Sequence, residues 1–140
     1  MAPNAASGRT VLIVDDERVI ALDLQHTLCR MGYRAVTAAS GEEALRVVET
    51  TPPDIVLMDL HLRKGLDGIE TASQLRARCD FGLIYLTGSV GEEHKARARL
   101  TMPDAWLSKP YFLNALQEAL RAVETQLSAR APCLTTPERR

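Results

Sequence analysis

Short, continuously apolar runs alternate along the chain with stretches in which apolar residues recur every three or four positions. Thr10 to Val14 (TVLIV) is a β-branched run that ends in two acids, and Val36, Asp54 to Met58 (DIVLM) and Leu83 to Leu86 (LIYL) begin or continue similar runs. Strands of this kind, apolar on both faces, belong to a parallel sheet covered on two sides. Between them, Ile20, Leu24, Leu28 and Met31 recur at helical spacing before Gly32, a natural stop, and Leu113, Leu116, Leu120, Val123 and Leu127 mark one face of a last helix. Ser40 with Glu43 fits a capping box opening a helix through Glu49, and Ser89 with Glu92 fits another. Strand and helix thus alternate five times, with strands predicted near 10–14, 34–38, 54–58, 82–87 and 104–107. The pattern predicts a doubly wound α/β sheet.

The 140 residues suit one domain, predicted over 9–127. Residues 1–8 and 128–140, rich in Ala, Pro, Ser, Thr and Arg without periodicity, are expected to be mobile tails. Hydrophobic residues at 46% and charged residues at 25% exclude a disordered or collagen-like chain. A net charge of -1 removes the basic footprint of a dedicated nucleic-acid binder, so no direct nucleic-acid partner is expected. No apolar run is long enough to span a membrane and no signal-peptide pattern opens the chain, which makes the cytoplasm the expected location. Cys29, Cys79 and Cys133 match neither a disulfide framework nor zinc spacing, and are expected to be reduced thiols on core or helix faces and in the tail.

In an open parallel sheet, ligands bind beyond the carboxyl ends of the strands. There the chain places Asp15 and Asp16 after strand 1, Asp59 after strand 3, Thr87 after strand 4 and Lys109-Pro110 after strand 5. Taken singly, an Asp in such a place is a turn former or helix cap, and a Lys-Pro is a loop. Together they converge on one edge of the sheet. Clustered carboxylates repel one another, and a divalent cation holds them ionised. Oxygen donors with no nearby Cys and a single local His61 favour Mg²⁺ over zinc. With the Lys109 ammonium and the Thr87 hydroxyl opposite, the edge suits a phosphoryl group, and Asp59 supplies a carboxylate nucleophile.

The motifs VLIVDDE at 11–17, DIVLMDLHL at 54–62, DGIE at 67–70, LTG at 86–88 and WLSKPY at 106–111 appear in that order. The chain resembles a response-regulator receiver domain of two-component signalling from roughly Thr10 to Leu127. The resemblance implies a flavodoxin-like (βα)5 fold with strand order 2-1-3-4-5. It implies that Asp59 accepts a phosphoryl group from a histidine kinase. Asp16 then coordinates Mg²⁺ directly, Asp15 acts mainly through water, and the His61 backbone carbonyl is a further ligand. Thr87 and Lys109 contact the phosphoryl oxygens, the Lys109-Pro110 bond is cis, Trp106 occupies the position of the family's aromatic switch, and His61 and Ser89 flank the path of hydrolytic water.

The chain departs from the family pattern in several places. Trp106 replaces the usual Tyr or Phe, Leu62-Arg63-Lys64-Gly65 replaces Met-Pro, Gly82 stands where strand 4 often has Pro, and Met102-Pro103-Asp104 replaces Gly-Ala. The helix near Gly91 to Arg99 has few apolar residues, so loose packing is expected. Since no output domain follows Leu127, the expectation is a single-domain response regulator rather than an enzyme. Its signal leaves through the face of helix 4, strand 5 and helix 5 to a partner, by homodimerisation, or by transfer to a phosphotransfer protein. The stretch HLRKGLDGIETA is similar to receivers accompanying sensor kinases, which favours a phosphorelay. Two rivals are a receiver-like scaffold that is never phosphorylated and a haloacid-dehalogenase-type phosphohydrolase. The latter wants an Asp where His61 stands.

Overall fold

The computed structural model describes residues 8–63, 65–88 and 91–134, with side chains described through residue 127. The elements follow in the order β1 (Thr10–Val14), α1 (Arg18–Arg30), β2 (Arg34–Ala38), α2 (Gly41–Thr50), β3 (Ile55–Asp59), α3 (Gly68–Arg76), β4 (Gly82–Thr87), α4 (Glu92–Arg99), β5 (Ala105–Ser108) and α5 (Leu113–Leu134). The five strands form one parallel sheet in the order β2-β1-β3-β4-β5.

Strand side chains alternate between faces, so each central strand feeds two cores. Leu12, Val14, Val56, Met58, Leu83 and Tyr85 pack beneath α2, α3 and α4 through Ala44, Val48, Ala72, Leu75 and Ala98. Val11, Ile13, Ile55, Leu57, Ile84 and Leu86 pack beneath α1 and α5 through Leu24, Leu28, Leu116, Leu120 and Val123. Burying each large aliphatic side chain of this kind contributes about 1.5–3 kcal/mol.

Local chemistry sets the element ends. Gly32, at φ 100°, closes α1 in a Schellman motif in which Tyr33 N–H donates to Leu28 O at 3.0 Å and Gly32 N–H to Cys29 O at 3.1 Å. Ser40 caps α2 by accepting from Glu43 N–H, but the Glu43 carboxylate accepts from Ala39 N–H at 2.9 Å, so the expected box closes one residue early. Asp67 and Glu70 form a complete capping box on α3.

Several sequence-based boundaries are corrected. Asp54 and Asp104 do not open strands. Their carboxylates accept from Thr10 N–H and Leu83 N–H, both at 2.9 Å, fastening neighbouring strands while β3 and β5 begin one residue later. Where the sequence predicts a box from Ser89 and Glu92, α4 starts at Glu92 with Gly91 at its N-cap, and Ser89 itself lies outside the described residues. Leu113 is exposed, leaving Leu116, Leu120 and Val123 as the buried line of α5. That helix also continues to Leu134, so 128–134 is helical rather than tail; residues 1–7 and 135–140 of the expected tails lie outside the described residues. Cys29 is an exposed free thiol and Cys79 a half-buried one, while Cys133 falls in the helical extension.

Only Ala98 is buried on α4, and the loop after this helix is held by other means. Arg76, reaching from α3, donates to the carbonyls of Thr101, Phe81 and Met102 at 3.1, 2.6 and 2.8 Å and lies over the Phe81 ring. The Tyr85 and Thr101 hydroxyls hydrogen-bond at 2.6 Å beneath it. Met102 adopts φ 56°, a left-handed conformation that a non-glycine residue holds only when its neighbours fix it.

Candidate functional site

The carboxyl ends of β1, β3, β4 and β5 meet at one rim of the sheet, and parallel pairing fixes their heights. Val14 pairs with Met58, Asp59 with Leu86, and Thr87 with Ser108, so Asp15, Asp59, Thr87 and Lys109 leave their strands at nearly the same level. Asp15 N–H continues the ladder to Ala38 O at 3.1 Å, and Lys109 N–H continues it to Thr87 O at 2.8 Å. The Lys109–Pro110 peptide is cis. Gly68 opens α3 against the end of β3. A Cβ there would sit 2.2 Å from Asp59 O, so glycine is what lets α3 approach this closely.

Asp15, Asp16 and Asp59 each present a carboxylate oxygen, all within 4.8 Å of one another. Asp15 and Asp59 are both 2% exposed, and Asp16 is half-buried. Glu17 N–H donates to Asp15 Oδ1 and His61 N–H to Asp59 Oδ1, each at 2.9 Å. Lys109 Nζ lies 3.3 Å from Asp59 Oδ1 and 3.5 Å from Asp15 Oδ2. Burial raises the Asp15 carboxyl from 3.8 to about 6, with the Asp59 charge adding to the rise and the Glu17 hydrogen bond and the Lys109 charge opposing it.

Among the described residues, the Lys109 ammonium and the largely exposed Arg63 guanidinium face three clustered carboxylates, which leaves excess negative charge in a half-dry site. Asp15 Oδ2, fully buried, has the Lys109 ammonium as its neighbour but no hydrogen bond among the described residues. An orphaned carboxylate oxygen beside two others is what a hard divalent cation satisfies, and the all-oxygen donor set fits Mg²⁺.

The structure therefore brings Asp15, Asp16, Asp59 and Lys109 together. Thr87 stands on the same rim, largely buried, with its hydroxyl donating to Gly88 O at 3.2 Å. His61 is exposed, its ring 5.6 Å from that of His94 on α4. Trp106 stands on β5, 36% exposed and tilted against Tyr85. Ser89 lies outside the described residues.

Arg63 is the participant whose contact the sequence did not disclose. Its backbone N–H donates to Asp16 Oδ2 at 3.1 Å, its Nε lies 3.5 Å from the same oxygen, and Nη2 is 3.9 Å from Glu17 Oε2. The only signal was a basic residue in a loop that must pass an acidic pair.

Residues 11–121 match the response regulator receiver domain family. The chain is 36% identical over 126 residues to the alkaline phosphatase synthesis transcriptional regulatory protein PhoP of Bacillus subtilis, covering 89% of this chain and 52% of that protein. It is 35% identical over 118 residues to the transcriptional regulatory protein PdtaR of Mycobacterium tuberculosis, covering 84% and 57% respectively. The signal receiver domain of a modulated diguanylate cyclase from Desulfovibrio desulfuricans superposes with a TM-score of 0.81 at 34% identity, over 87% of this chain and 98% of that one. The fold is thus the flavodoxin-like receiver fold, and the chain belongs to the response regulator receiver domain family of two-component signalling. It spans about half the length of the curated relatives it matches.

Proposed function

We propose that this receiver accepts a phosphoryl group on Asp59 from a histidine kinase or phosphotransfer protein, in a Mg²⁺-dependent reaction, and signals through protein partners in the cytoplasm. The observation that carries this reading is the Lys109 ammonium within 3.5 Å of both Asp59 and Asp15, beside a buried Asp15 oxygen without a hydrogen bond among the described residues.

Asp59 is the nucleophile. Its Oδ1 is held by His61 N–H, and an in-line attack by the carboxylate forms the O–P bond as the donor's bond to phosphorus breaks. Asp16, Asp59, Asp15 and the His61 carbonyl would hold Mg²⁺, which would supply positive charge to the phosphoryl oxygens. Lys109 turns from the carboxylates to a phosphoryl oxygen, and the Thr87 hydroxyl exchanges its bond to Gly88 O for another. By the resemblance to the family, His61 and Ser89 tune the lifetime of the acyl phosphate.

Output is assigned to the face of α4, β5 and α5. Leu100 at the end of α4, Met102 in the loop before β5 and Trp106 on β5 are each exposed, and exposed apolar side chains suit contact with a partner or a second copy of the chain. Onward phosphotransfer is the other exit. The net charge of -1 supports protein rather than nucleic acid as the receiver's own contact. Among the described residues, no helix is long and apolar enough to cross a membrane.

Calorimetric titration with Mg²⁺ tests the site. Asp16→Ala should weaken binding at least tenfold and Asp15→Ala less, whereas equal affinities in both variants and the wild type would reduce the acidic pair to helix caps.

A further inference from the structure

The β3–α3 loop is tied to the rest of the molecule through carboxylates of other segments. Glu42, on α2, accepts from Leu66 N–H at 3.1 Å, and Asp16, after β1, accepts from Arg63 N–H at 3.1 Å. The second tie differs from the first because Arg63 also directs its guanidinium to the same Asp16 oxygen, with Nε at 3.5 Å, and toward Glu17 at 3.9 Å. Asp16 Oδ2 thus faces a positive charge on the solvent side while Lys109 supplies one to Asp15 and Asp59 on the buried side.

We propose that Arg63 is a resident counter-cation of the acidic cluster, and that a divalent ion must take Asp16 Oδ2 from it. The inference rests on the Mg²⁺ reading above and adds a specificity determinant to it. Both cations seek the same oxygen, so the guanidinium lowers the affinity of the site, and metal binding frees the Arg63 side chain from Asp16. The two effects are one coupling free energy seen from either side. An exposed ion pair of this kind contributes little to folding, and the Arg63 side chain is 69% exposed. Its effect therefore belongs in ion affinity and not in stability. Because the competition is electrostatic, charge matters more than shape, and salt screens it.

The test is calorimetric titration of the whole chain with MgCl₂ at low and high KCl, comparing wild type, Arg63→Ala and Arg63→Lys, with urea denaturation of each. Arg63→Ala should bind Mg²⁺ roughly three- to tenfold more tightly at low salt. Arg63→Lys should stay near wild type, the gap should narrow in high KCl, and the denaturation midpoints should coincide. Equal or weaker Mg²⁺ binding by Arg63→Ala, with the wild type still binding, overturns the role of Arg63 and leaves the carboxylate site standing. Failure of both the wild type and Arg63→Ala to bind overturns the metal reading and the proposal with it.

Discussion

Tyr85 and Trp106 face each other in register across β4 and β5, their ring centroids 5.4 Å apart and their planes tilted by 40°. Tyr85 is fully buried with its hydroxyl on Thr101, whereas Trp106 is 36% exposed, so the indole rests against a fixed ring at the edge of the face proposed for output.

Trp106 is the only tryptophan, which makes its emission a direct report on that face. Addition of Mg²⁺ and beryllofluoride, which stands in for the phosphoryl group on Asp59, is expected to draw Thr87 toward the acceptor and to shift or quench the emission. Thr87→Ala should shrink the change while leaving beryllofluoride binding through Lys109 intact, because a ligand moves an equilibrium only by its differential contacts with the two states. Identical emission with and without saturating mimic would remove Trp106 from the switch.

Asp15 makes a stability prediction with a definite sign. Its carboxyl is raised by burial to about 6, so between about pH 4 and pH 6 the folded state holds a proton that the unfolded state has lost, and this group's contribution falls as pH rises. Asp15→Asn removes that penalty. Without divalent cations, urea unfolding at pH 7.5 should show a gain on the order of 2 kcal/mol that disappears below about pH 4. A loss of stability at pH 7.5 would contradict the assigned cost of the buried charge.

Arg76 joins α3 to the loop before β5 through three carbonyls and the Phe81 ring. Arg76→Ala leaves those carbonyls to find water, and chemical denaturation should register a loss of about 2–4 kcal/mol. A loss under 0.5 kcal/mol, within the range of ordinary surface changes, would show that the loop keeps its left-handed Met102 without this support.

The sheet was legible because strands buried on both faces leave unbroken apolar runs such as TVLIV and LIYL, and the meeting of Asp15, Asp16, Asp59 and Lys109 was legible because parallel strands end at one rim. What escaped depends on contacts distant in sequence. Asp54 and Asp104 looked like strand residues until their carboxylates were seen to fasten Thr10 and Leu83. Gly82 looked like a departure from pattern, yet a Cβ there would lie 2.2 Å from Val123 Cγ1, so α5 dictates the glycine. The run of α5 past Leu127 has no apolar period, because extending an existing helix needs far less than starting one. The Arg63 contact with Asp16 follows from the path of a loop, which local pattern does not encode.

The central claim is that Asp59 carries the phosphoryl group. Incubating the protein with ³²P-labelled acetyl phosphate and Mg²⁺ should give acid-stable, base-labile label that maps to the peptide holding Asp59. Asp59→Asn should abolish this label while remaining folded, and EDTA should suppress it in the wild type. Wild-type levels of label on the Asp59→Asn protein would contradict the account at its centre.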